Sequence, residues 1–366
     1  MIVYLAQLLK HYSIPQISPN SAAPLLSDKE EYPFFLRMTN SALERNFVRI
    51  EILKYFGWRR IFVLTQPEEL FYEIYDHFHQ QAMVNNITII ENFIAHSAEN
   101  AKSIMPKMIE YDVRVLVIFA YSPITRYFLC QAYLNNLYGD RHVLILPSNI
   151  IKLVLSSATF PSICSREEAN LVLDGSLREA ASSTSTEMYF PYDNEAYDIN
   201  DLVQRMYDYM NESVDIGYAG NGFDAVMTTV LTIQSLISKN LSQFFEIDQN
   251  KMGQSLLARL LEAEFNGFSG KIRFDKNGNL KKDIVIQKYL KEYVDNPIEV
   301  GLYNGITGDV NFTRVPYNTV PKDERNRQLI LKKISTAKFI ILVVFGFIGS
   351  GVSTFGGAAS KLCLRN

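Results

Sequence analysis

Short apolar runs alternate with helical patterns along the first part of the chain. Leucine, phenylalanine and isoleucine recur at helical spacing over 43–53, and the next run, 60–65, has the uninterrupted apolar character of a buried strand. Strands are also predicted at 87–94, 113–121 and 142–147, and helices at 68–85, 98–110 and 123–138. Such alternation is typical of parallel sheets, so we predict a parallel sheet covered by helices on both faces.

The second part carries a different pattern. A helix is predicted over 223–239, with Val226, Val230, Ile233 and Ile237 on one face. The segment 175–215 differs from the first part, residues 180–187 within it have a loop-like composition, and 305–335 is polar and looks like a linker. The remaining predicted elements are an amphipathic helix at 1–11, a helix at 251–264, a turn at 275–278, and strands at 288–294 and 298–303.

An uncharged stretch of 22 residues, 339–360, lies between Lys338 and Lys361. Because about 20 apolar residues cross a bilayer core, we predict a transmembrane helix there. The alternative is a buried helix or loop, since the second half of the stretch is rich in small residues. A membrane helix would place everything before residue 339 on one side of the membrane.

Composition and charge argue against several classes of function. The formal net charge is −3 and no basic stripe is present, so a nucleic-acid partner is not expected. The five histidines are scattered, and no glycine-rich phosphate loop or nucleophile elbow appears. We therefore expect neither an enzyme nor a bound cofactor or metal.

Cysteines and glycosylation sequons bear on the compartment. Cys130 and Cys164 would be able to pair if the domain is extracellular, whereas Cys363 is either a free thiol or an acylation site near the membrane. Four Asn-x-Ser/Thr sequons, all before the uncharged stretch, are potential glycosylation sites: Asn86, Asn211, Asn240 and Asn311.

Five ordered segments resemble one receptor family. They are Tyr-Pro-Phe-Phe-Leu-Arg at 32–37, Phe-Gly-Trp-Arg-Arg-Ile at 56–61, Phe-Asp-Ala at 223–225, Phe-Asn-Gly-Phe-Ser-Gly-Lys-Ile-Arg-Phe-Asp-Lys-Asn-Gly at 265–278, and Val-Gly-Leu-Tyr at 300–303. In this order they resemble the ligand-binding domain of class C receptors and natriuretic-peptide-type receptors. That domain has the type I periplasmic-binding-protein fold, and the 223–225 segment is expected to open a helix.

Two features narrow the resemblance to the GABA type B receptor group. Only a short segment without cysteine separates Tyr303 from the predicted membrane helix, where metabotropic glutamate and calcium-sensing receptors carry a cysteine-rich module. The contexts of Cys130 and Cys164 resemble the positions of a disulfide in that group, so the resemblance implies that these two cysteines pair.

The resemblance implies a bilobed α/β fold of two parallel-sheet lobes, followed by one transmembrane helix. Lobe one would comprise 1–36 and 180–280, lobe two 37–179 and 281–305, and a linker 306–338. Relatives have a longer first part of lobe one, so we expect this chain to be a segment of a longer protein.

The implied function is that of the ectodomain of a class C G-protein-coupled receptor subunit. Lobe closure on a small-molecule ligand would be passed to membrane helices and a heterotrimeric G protein. The resemblance further implies the plasma membrane, residues before 339 outside the cell, and a homo- or heterodimer with a related subunit. Two alternatives stay open: a receptor guanylate cyclase ectodomain and a membrane-tethered solute-binding protein.

The resemblance also assigns candidate ligand residues. GABA-binding members use serines and a histidine for the carboxylate, a glutamate for the amine, and a tyrosine and a tryptophan from lobe two. The corresponding positions here are Ser21 with Ala22 and Ala23 for the serines, Thr39 for the histidine, Tyr218 for the glutamate, Asn149 for the tryptophan, and Tyr121 for the tyrosine. Because Tyr218 offers no charged acceptor for an ammonium, we expect an amino-acid-like ligand other than GABA, or a subunit that binds none.

Overall fold

The apolar runs at 60–65 and 113–121 contribute two neighbouring strands to the largest sheet of the protein. The computed structural model describes residues 2–97, 99–147, 155, 160–181, 187–189, 196–201, 204–205, 216–239, 248–292 and 297–313. Within this part of the chain there are three sheets, of two, four and eight strands. The predicted membrane helix at 339–360 lies outside the described residues.

The described helices and strands follow one another from residue 2 to residue 312. The helices are α1 (Ile2–His11), α2 (Glu44–Phe56), α3 (Glu69–Val84), α4 (Ile104–Tyr111), α5 (Ser122–Leu134), α6 (Arg166–Leu173), α7 (Ile216–Lys239) and α8 (Gln249–Leu261), with 3-10 turns at Pro24–Ser27 and Glu99–Ser103. The strands are β1 (Gln16–Ser18), β2 (Phe35–Arg37), β3 (Arg60–Thr65), β4 (Thr88–Ile94), β5 (Val115–Phe119), β6 (Val143–Leu146), β7 (Leu177–Ala181), β8 (Glu187–Tyr189), β9 (Ala196–Asp198), β10 (Glu264–Gly267), β11 (Gly270–Arg273), β12 (Ile284–Lys288), β13 (Ile298–Tyr303) and β14 (Val310–Phe312).

The eight-stranded sheet has the order β14-β13-β12-β7-β6-β5-β3-β4. Its strands β3 to β7 are parallel to one another. The strands β12, β13 and β14 extend the sheet in antiparallel fashion. The α/β architecture with a mainly parallel sheet is thus confirmed.

Helices cover both faces of this sheet because alternate residues of each strand point to opposite sides. On one face Phe62 and Leu64 of β3 pack with the apolar residues of α4, α5 and α6. On the other face Ile61 and Val63 pack with those of α2 and α3. We call these elements, with the eight strands, the large-sheet half.

The other elements form a second region, which we call the small-sheet half. Strands β1 and β2 pair in parallel, and β8 to β11 form the antiparallel four-stranded sheet. Residues of α7 and α8 pack with Phe265 and Ile272 of that sheet, and α1 packs with Leu26 and Phe35. The chain crosses between the halves after β2, after β7 and before β12. The lobe boundaries predicted above remain a prediction.

Helix α7 differs from its prediction in start and in rotation. It begins at Ile216, so the Phe-Asp-Ala segment at 223–225 lies inside the helix and does not open it. Val226 and Val230, on the predicted apolar stripe, are 62% and 49% exposed, whereas Asp224 is fully buried. The reason is that the Asp224 carboxylate accepts the backbone N–H groups of Phe268 and Ser269, each at 2.7 Å. These bonds turn the polar side of α7 inward.

Three strands also differ from the prediction. Strand β12 is Ile284–Lys288 and not 288–294. Tyr289 still exchanges backbone hydrogen bonds with Gly175 and Ser176, each at 2.9 Å, and its hydroxyl donates to Asn170 Oδ1 at 2.6 Å. Strand β7 ends inside the stretch predicted as loop, 180–187, and β14 falls in the predicted linker. The apolar pattern that would predict β7 is interrupted by two charged residues, Arg178 and Glu179, which are both buried.

A buried ion pair joins α2 to β7. Arg49 and Glu179 are 3% and 0% exposed, and an Arg49 Nη2 donates to Glu179 Oε1. The same guanidinium donates to Asn46 Oδ1 at 2.6 Å and stacks 4.9 Å from the Phe119 ring centroid. Burial lowers the pKa of Arg49, and Glu179 opposes that effect. Removing one partner would leave the other charge buried and unpaired.

We expect Glu179→Gln to lower the free energy of unfolding by about 3–5 kcal/mol, because Arg49 then lacks its counter-charge. The double variant Arg49→Met/Glu179→Gln should recover most of that loss. Chemical unfolding of the full chain measures both. Glu51→Gln, which breaks the exposed pair with Lys54, is the control and should cost less than about 1 kcal/mol. An equal cost for the two single glutamate changes would contradict the expectation.

Candidate ligand-binding site

The segment between β1 and β2 carries the predicted serine position. Ser18 Oγ and Ser21 Oγ lie 2.7 Å apart, and the Ser21 backbone N–H donates to Ser18 Oγ at 3.3 Å. Ala22 packs against the apolar core of the large-sheet half, and Ala22 O accepts the Ala42 N–H at 2.9 Å. The segment therefore touches both halves of the fold, with one hydroxyl pair on it.

Arg37 fixes the backbone conformation of this segment through hydrogen bonds. Its side chain is fully buried, and its guanidinium Nη1 donates to the carbonyl oxygens of Ser21 at 3.3 Å and Ala23 at 2.8 Å. Its other nitrogens donate to Ser27 Oγ and, at 2.7 Å, to Asn279 Oδ1. Burial lowers the pKa of Arg37 to about 10, and the carboxylates of Glu44 and Asp275 offset part of that effect. Arg37 remains a cation at neutral pH.

The first and third crossovers are bound to each other next to this segment. Asn40 Nδ2 donates to Glu44 Oε2 at 2.7 Å and to Lys282 O at 2.9 Å. Lys281 forms an ion pair with the same Glu44 carboxylate. Thr39, the predicted histidine position, is half-buried in the first crossover.

Lys282 connects the third crossover to α7 and to the serine segment. Its ammonium donates to Asn221 Oδ1 and to Ser269 Oγ, both at 2.6 Å, and Asn221 Nδ2 donates to Asn20 Oδ1 at 2.6 Å. Burial lowers the pKa of Lys282 to about 8, while Asp224 acts to raise it. Burial also raises the pKa of Asp224, against three hydrogen bonds from Phe268 and Ser269. The network links Asn20, one residue before Ser21, to the core of the small-sheet half.

Tyr121 lies at the carboxyl edge of the parallel sheet, between β5 and α5. It is the N-cap residue of α5, is 46% exposed, and packs edge-on against Phe71 with ring centroids 4.8 Å apart. Its backbone N–H donates to Gln66 Oε1 at 3.0 Å, and the Glu68 carboxylate lies near its hydroxyl. Burial raises the pKa of Tyr121, and Glu68 raises it further.

A direct contact joins the halves beside these residues. The 3-10 turn Pro24–Ser27 packs on α3, with the Leu25 backbone beside the Glu73 carboxylate. Burial and the nearby Glu69 raise the pKa of Glu73, and the Leu25 N–H partly counters them. The serine segment thus lies against the same helix whose first residues surround Tyr121.

The predicted site residues have different outcomes. Ser21 and Tyr121 lie on segments that the contacts around α3 bring to one region, and Thr39 is in the crossover that joins the halves. Tyr218 lies in the first turn of α7, and Asn149 is outside the described residues. The sequence reasoning missed Arg37, Lys282 and Glu68. Arg37 is the last residue of the Tyr-Pro-Phe-Phe-Leu-Arg segment at 32–37, but its burial follows from contacts with segments far away in sequence.

The structure contains the disulfide between Cys130 and Cys164, with Cα atoms 5.3 Å apart and a sequence separation of 34. The two cysteines join α5 to the loop before α6, and both are in the apolar core on one face of the large sheet. Of the predicted sequons, Asn86 and Asn311 are exposed, and Asn211 and Asn240 are outside the described residues.

Comparison with known proteins identifies the family. The family described as receptor family ligand binding region matches residues 2–290. The chain belongs to this family. The expected resemblance to GABA type B receptors is also confirmed by several relatives, although their sequence identity to the chain is low.

Three relatives illustrate the range. The human gamma-aminobutyric acid type B receptor subunit 2 is 24% identical over 367 residues, which cover 94% of this chain and 37% of the relative. The mouse subunit 1 is 21% identical over 384 residues, covering 98% of this chain and 37% of the relative. Metabotropic glutamate receptor-like protein E of Dictyostelium discoideum is 24% identical over 288 residues, which cover 73% of this chain and 31% of the relative. The chain thus spans about a third of the length of these relatives.

The described residues include neither a helix suited to span a membrane nor a cluster suited to hold a metal ion. None of the described helices combines the length and apolar composition needed to cross a membrane. Likewise, no group of three or more histidine, cysteine, aspartate or glutamate side chains in the described part of the chain is arranged to hold a metal ion.

The pKa of Lys282 predicts how stability depends on pH. Between about 8 and the ordinary value of 10.5, the unfolded chain binds a proton that the folded chain does not, so stability rises with pH in that window. Lys282→Met should remove this rise, which amounts to on the order of 3 kcal/mol. Urea unfolding at several pH values measures it.

The readout is the difference between wild-type and variant stability at each pH. Lys29, whose pKa burial also lowers to about 8, is present in both proteins and cancels. Lys276→Met, at an exposed position of the neighbouring turn, serves as the control and should leave the wild-type profile in place. Parallel profiles for wild type and Lys282→Met would contradict the expectation.

Proposed function

We propose that this chain is the extracellular ligand-binding region of a class C G-protein-coupled receptor subunit of the GABA type B kind. The observation that carries the proposal is the family match over residues 2–290. That range includes the serine segment, both bound crossovers and Tyr121. The relatives named above are receptors, which supports a binding role and not a catalytic one.

In this proposal the small-sheet and large-sheet halves are lobes one and two, and the ligand binds between them. Ser21 and Thr39 face the ligand from lobe one or the crossover, Tyr121 and Asn149 from lobe two, and Tyr218 from α7. Closure changes the contacts on both sides of the ligand, so a ligand shifts the population toward the closed form by its differential affinity. The bound crossovers, centred on Glu44, Lys281 and Lys282, are the pivot.

The cellular setting is part of the same proposal. The protein sits in the plasma membrane through 339–360, with the preceding residues outside the cell, and signals through a heterotrimeric G protein. Exposed Asn86 and Asn311 would carry glycans on opposite edges of the large sheet, on the loop before β4 and on β14. These edges fit an extracellular surface, and the disulfide fits an oxidising compartment.

A related receptor subunit is the proposed partner. Helix α1 exposes several large apolar side chains, with Tyr4 at 76%, Leu8 at 54% and Leu5 at 42%. An apolar helical surface of this kind is typical of a protein interface. The pair is a homo- or heterodimer.

A crosslink between the halves tests the signalling role in the full-length protein. Leu25→Cys/Glu73→Cys replaces two residues in contact across the halves, so a disulfide there restrains their motion. We expect oxidation to change basal G-protein activation by at least about threefold, and reduction to reverse it, because closure controls the populations of the signalling states.

The matched control is Tyr55→Cys/Phe312→Cys. These residues stack 4.0 Å apart within the large-sheet half, so their crosslink restrains no motion between halves. Complete crosslinking of the first pair with unchanged activation, or equal changes for both pairs, would refute the proposed transmission.

We further predict that GABA does not bind in the micromolar range. Binding of that strength corresponds to a binding free energy of about −8 kcal/mol. Ala22, Ala23 and Thr39 lack the groups that hold the GABA carboxylate in GABA-binding members. Calorimetry on the full chain measures binding. Saturable micromolar binding that Tyr121→Ala abolishes would show that these positions have been matched to the family incorrectly.

A further inference from the structure

Glu68 is oriented toward Tyr121 and away from its own helix. It occupies the N-cap position of α3, where a carboxylate commonly accepts an N–H from the first helical turn. Its side chain makes no such bond. Instead, Gln66 Nε2 donates to Glu68 Oε1 at 2.5 Å, and Gln66 Oε1 accepts the Tyr121 backbone N–H at 3.0 Å, which places the carboxylate beside Tyr121.

The side-chain amide of Gln66 bonds to both Glu68 and Tyr121. Its amide nitrogen binds Glu68, and its amide oxygen accepts the Tyr121 backbone N–H at 3.0 Å. Phe71 supports the Tyr121 ring from the side, and the ring remains nearly half exposed. A carboxylate and an open aromatic surface are thus held next to each other at the edge of the sheet.

The surroundings on both halves are acidic. Next to the Leu25–Glu73 contact, burial raises the pKa of Tyr32, and the carboxylates of Glu31 and Asp28 from its own half and of Glu69 from α3 raise it further. A cation also lies here: the Lys29 ammonium donates to Tyr32 O at 3.3 Å.

We propose that Glu68 and Tyr121 form the subsite that recognises a cationic amine of the ligand. The inference rests on the proposed function and specifies its ligand class: a small molecule with a primary or quaternary ammonium group. The carboxylate pairs with the ammonium, and the phenol ring adds a cation–π contact. The charged acceptor missing at Tyr218 in lobe one is supplied from the other half of the fold.

The same geometry predicts that Glu68 disfavours anionic ligands. Helices α3 and α5 both begin here, and helix amino termini attract anions. With Glu68 ionised, its charge cancels that attraction and a cation is preferred. Without the charge, the two helix ends should favour a carboxylate.

The test measures n-butylammonium and butyrate binding to the full chain by saturation-transfer NMR. The wild type should bind butylammonium saturably at millimolar concentration and butyrate more weakly. Glu68→Gln should weaken butylammonium binding by about threefold, the effect of one charge contact to an exposed carboxylate, and should strengthen butyrate binding. Tyr121→Leu, which keeps an apolar side chain without the ring, should also weaken butylammonium binding.

Glu110→Gln is the control, since it removes an exposed carboxylate from α4 without touching the site, and it should bind like the wild type. Urea unfolding of each variant shows that the fold is intact. No saturation by butylammonium up to about 50 mM, unchanged binding in Glu68→Gln, or a wild-type preference for butyrate would each overturn the subsite. If the crosslink between halves fails to alter signalling while amine binding depends on Glu68, the receptor proposal fails and the subsite stands.

Discussion

A buried arginine constrains the region on which the proposed site depends. A guanidinium taken out of water must find acceptors for its donors, because unpaired buried charge is costly. Arg37 finds them in the carbonyls of Ser21 and Ala23, in Ser27 and in Asn279. These acceptors come from two separate parts of the chain, so the shape of the serine segment and its position on the 275–280 turn are set together.

The crossovers extend that constraint from one half of the fold to the other. Asn40 and Glu44 bind Lys282 O and the Lys281 side chain, while the Lys282 side chain reaches Asn221 and Ser269. Hydrogen bonds with charged groups are shorter and stronger than neutral ones, which suits a joint that must keep its geometry. The proposed ligand residues on the serine segment and at Tyr121 would therefore be held by supports on both sides of one junction.

The proposed pocket combines a family position with a local one. Tyr121 stands where the resemblance expects a tyrosine, but the carboxylate beside it, Glu68, was not expected from the family pattern. Moving a charged acceptor from one half to the other changes which lobe grips the amine. In this proposal, a receptor with Tyr218 at the position of the family's glutamate keeps a site for a cationic ligand.

The order and type of most elements followed from the sequence alone, because periodicity is a local property. Strands β3 and β13 match their predicted bounds at 60–65 and 298–303, and the ordered motifs led to the family. The tertiary structure alone decided the rotation of α7, the burial of Arg178 and Glu179 in β7, and the direction of the Glu68 side chain. Each of these depends on a partner distant in sequence: Phe268 and Ser269 for Asp224 of α7, Arg49 for Glu179, and Tyr121 for Glu68. A hydrophobicity pattern cannot predict these features, because it assigns every charged residue to the surface. The partners that allow such a residue to be buried come near it only in the folded chain.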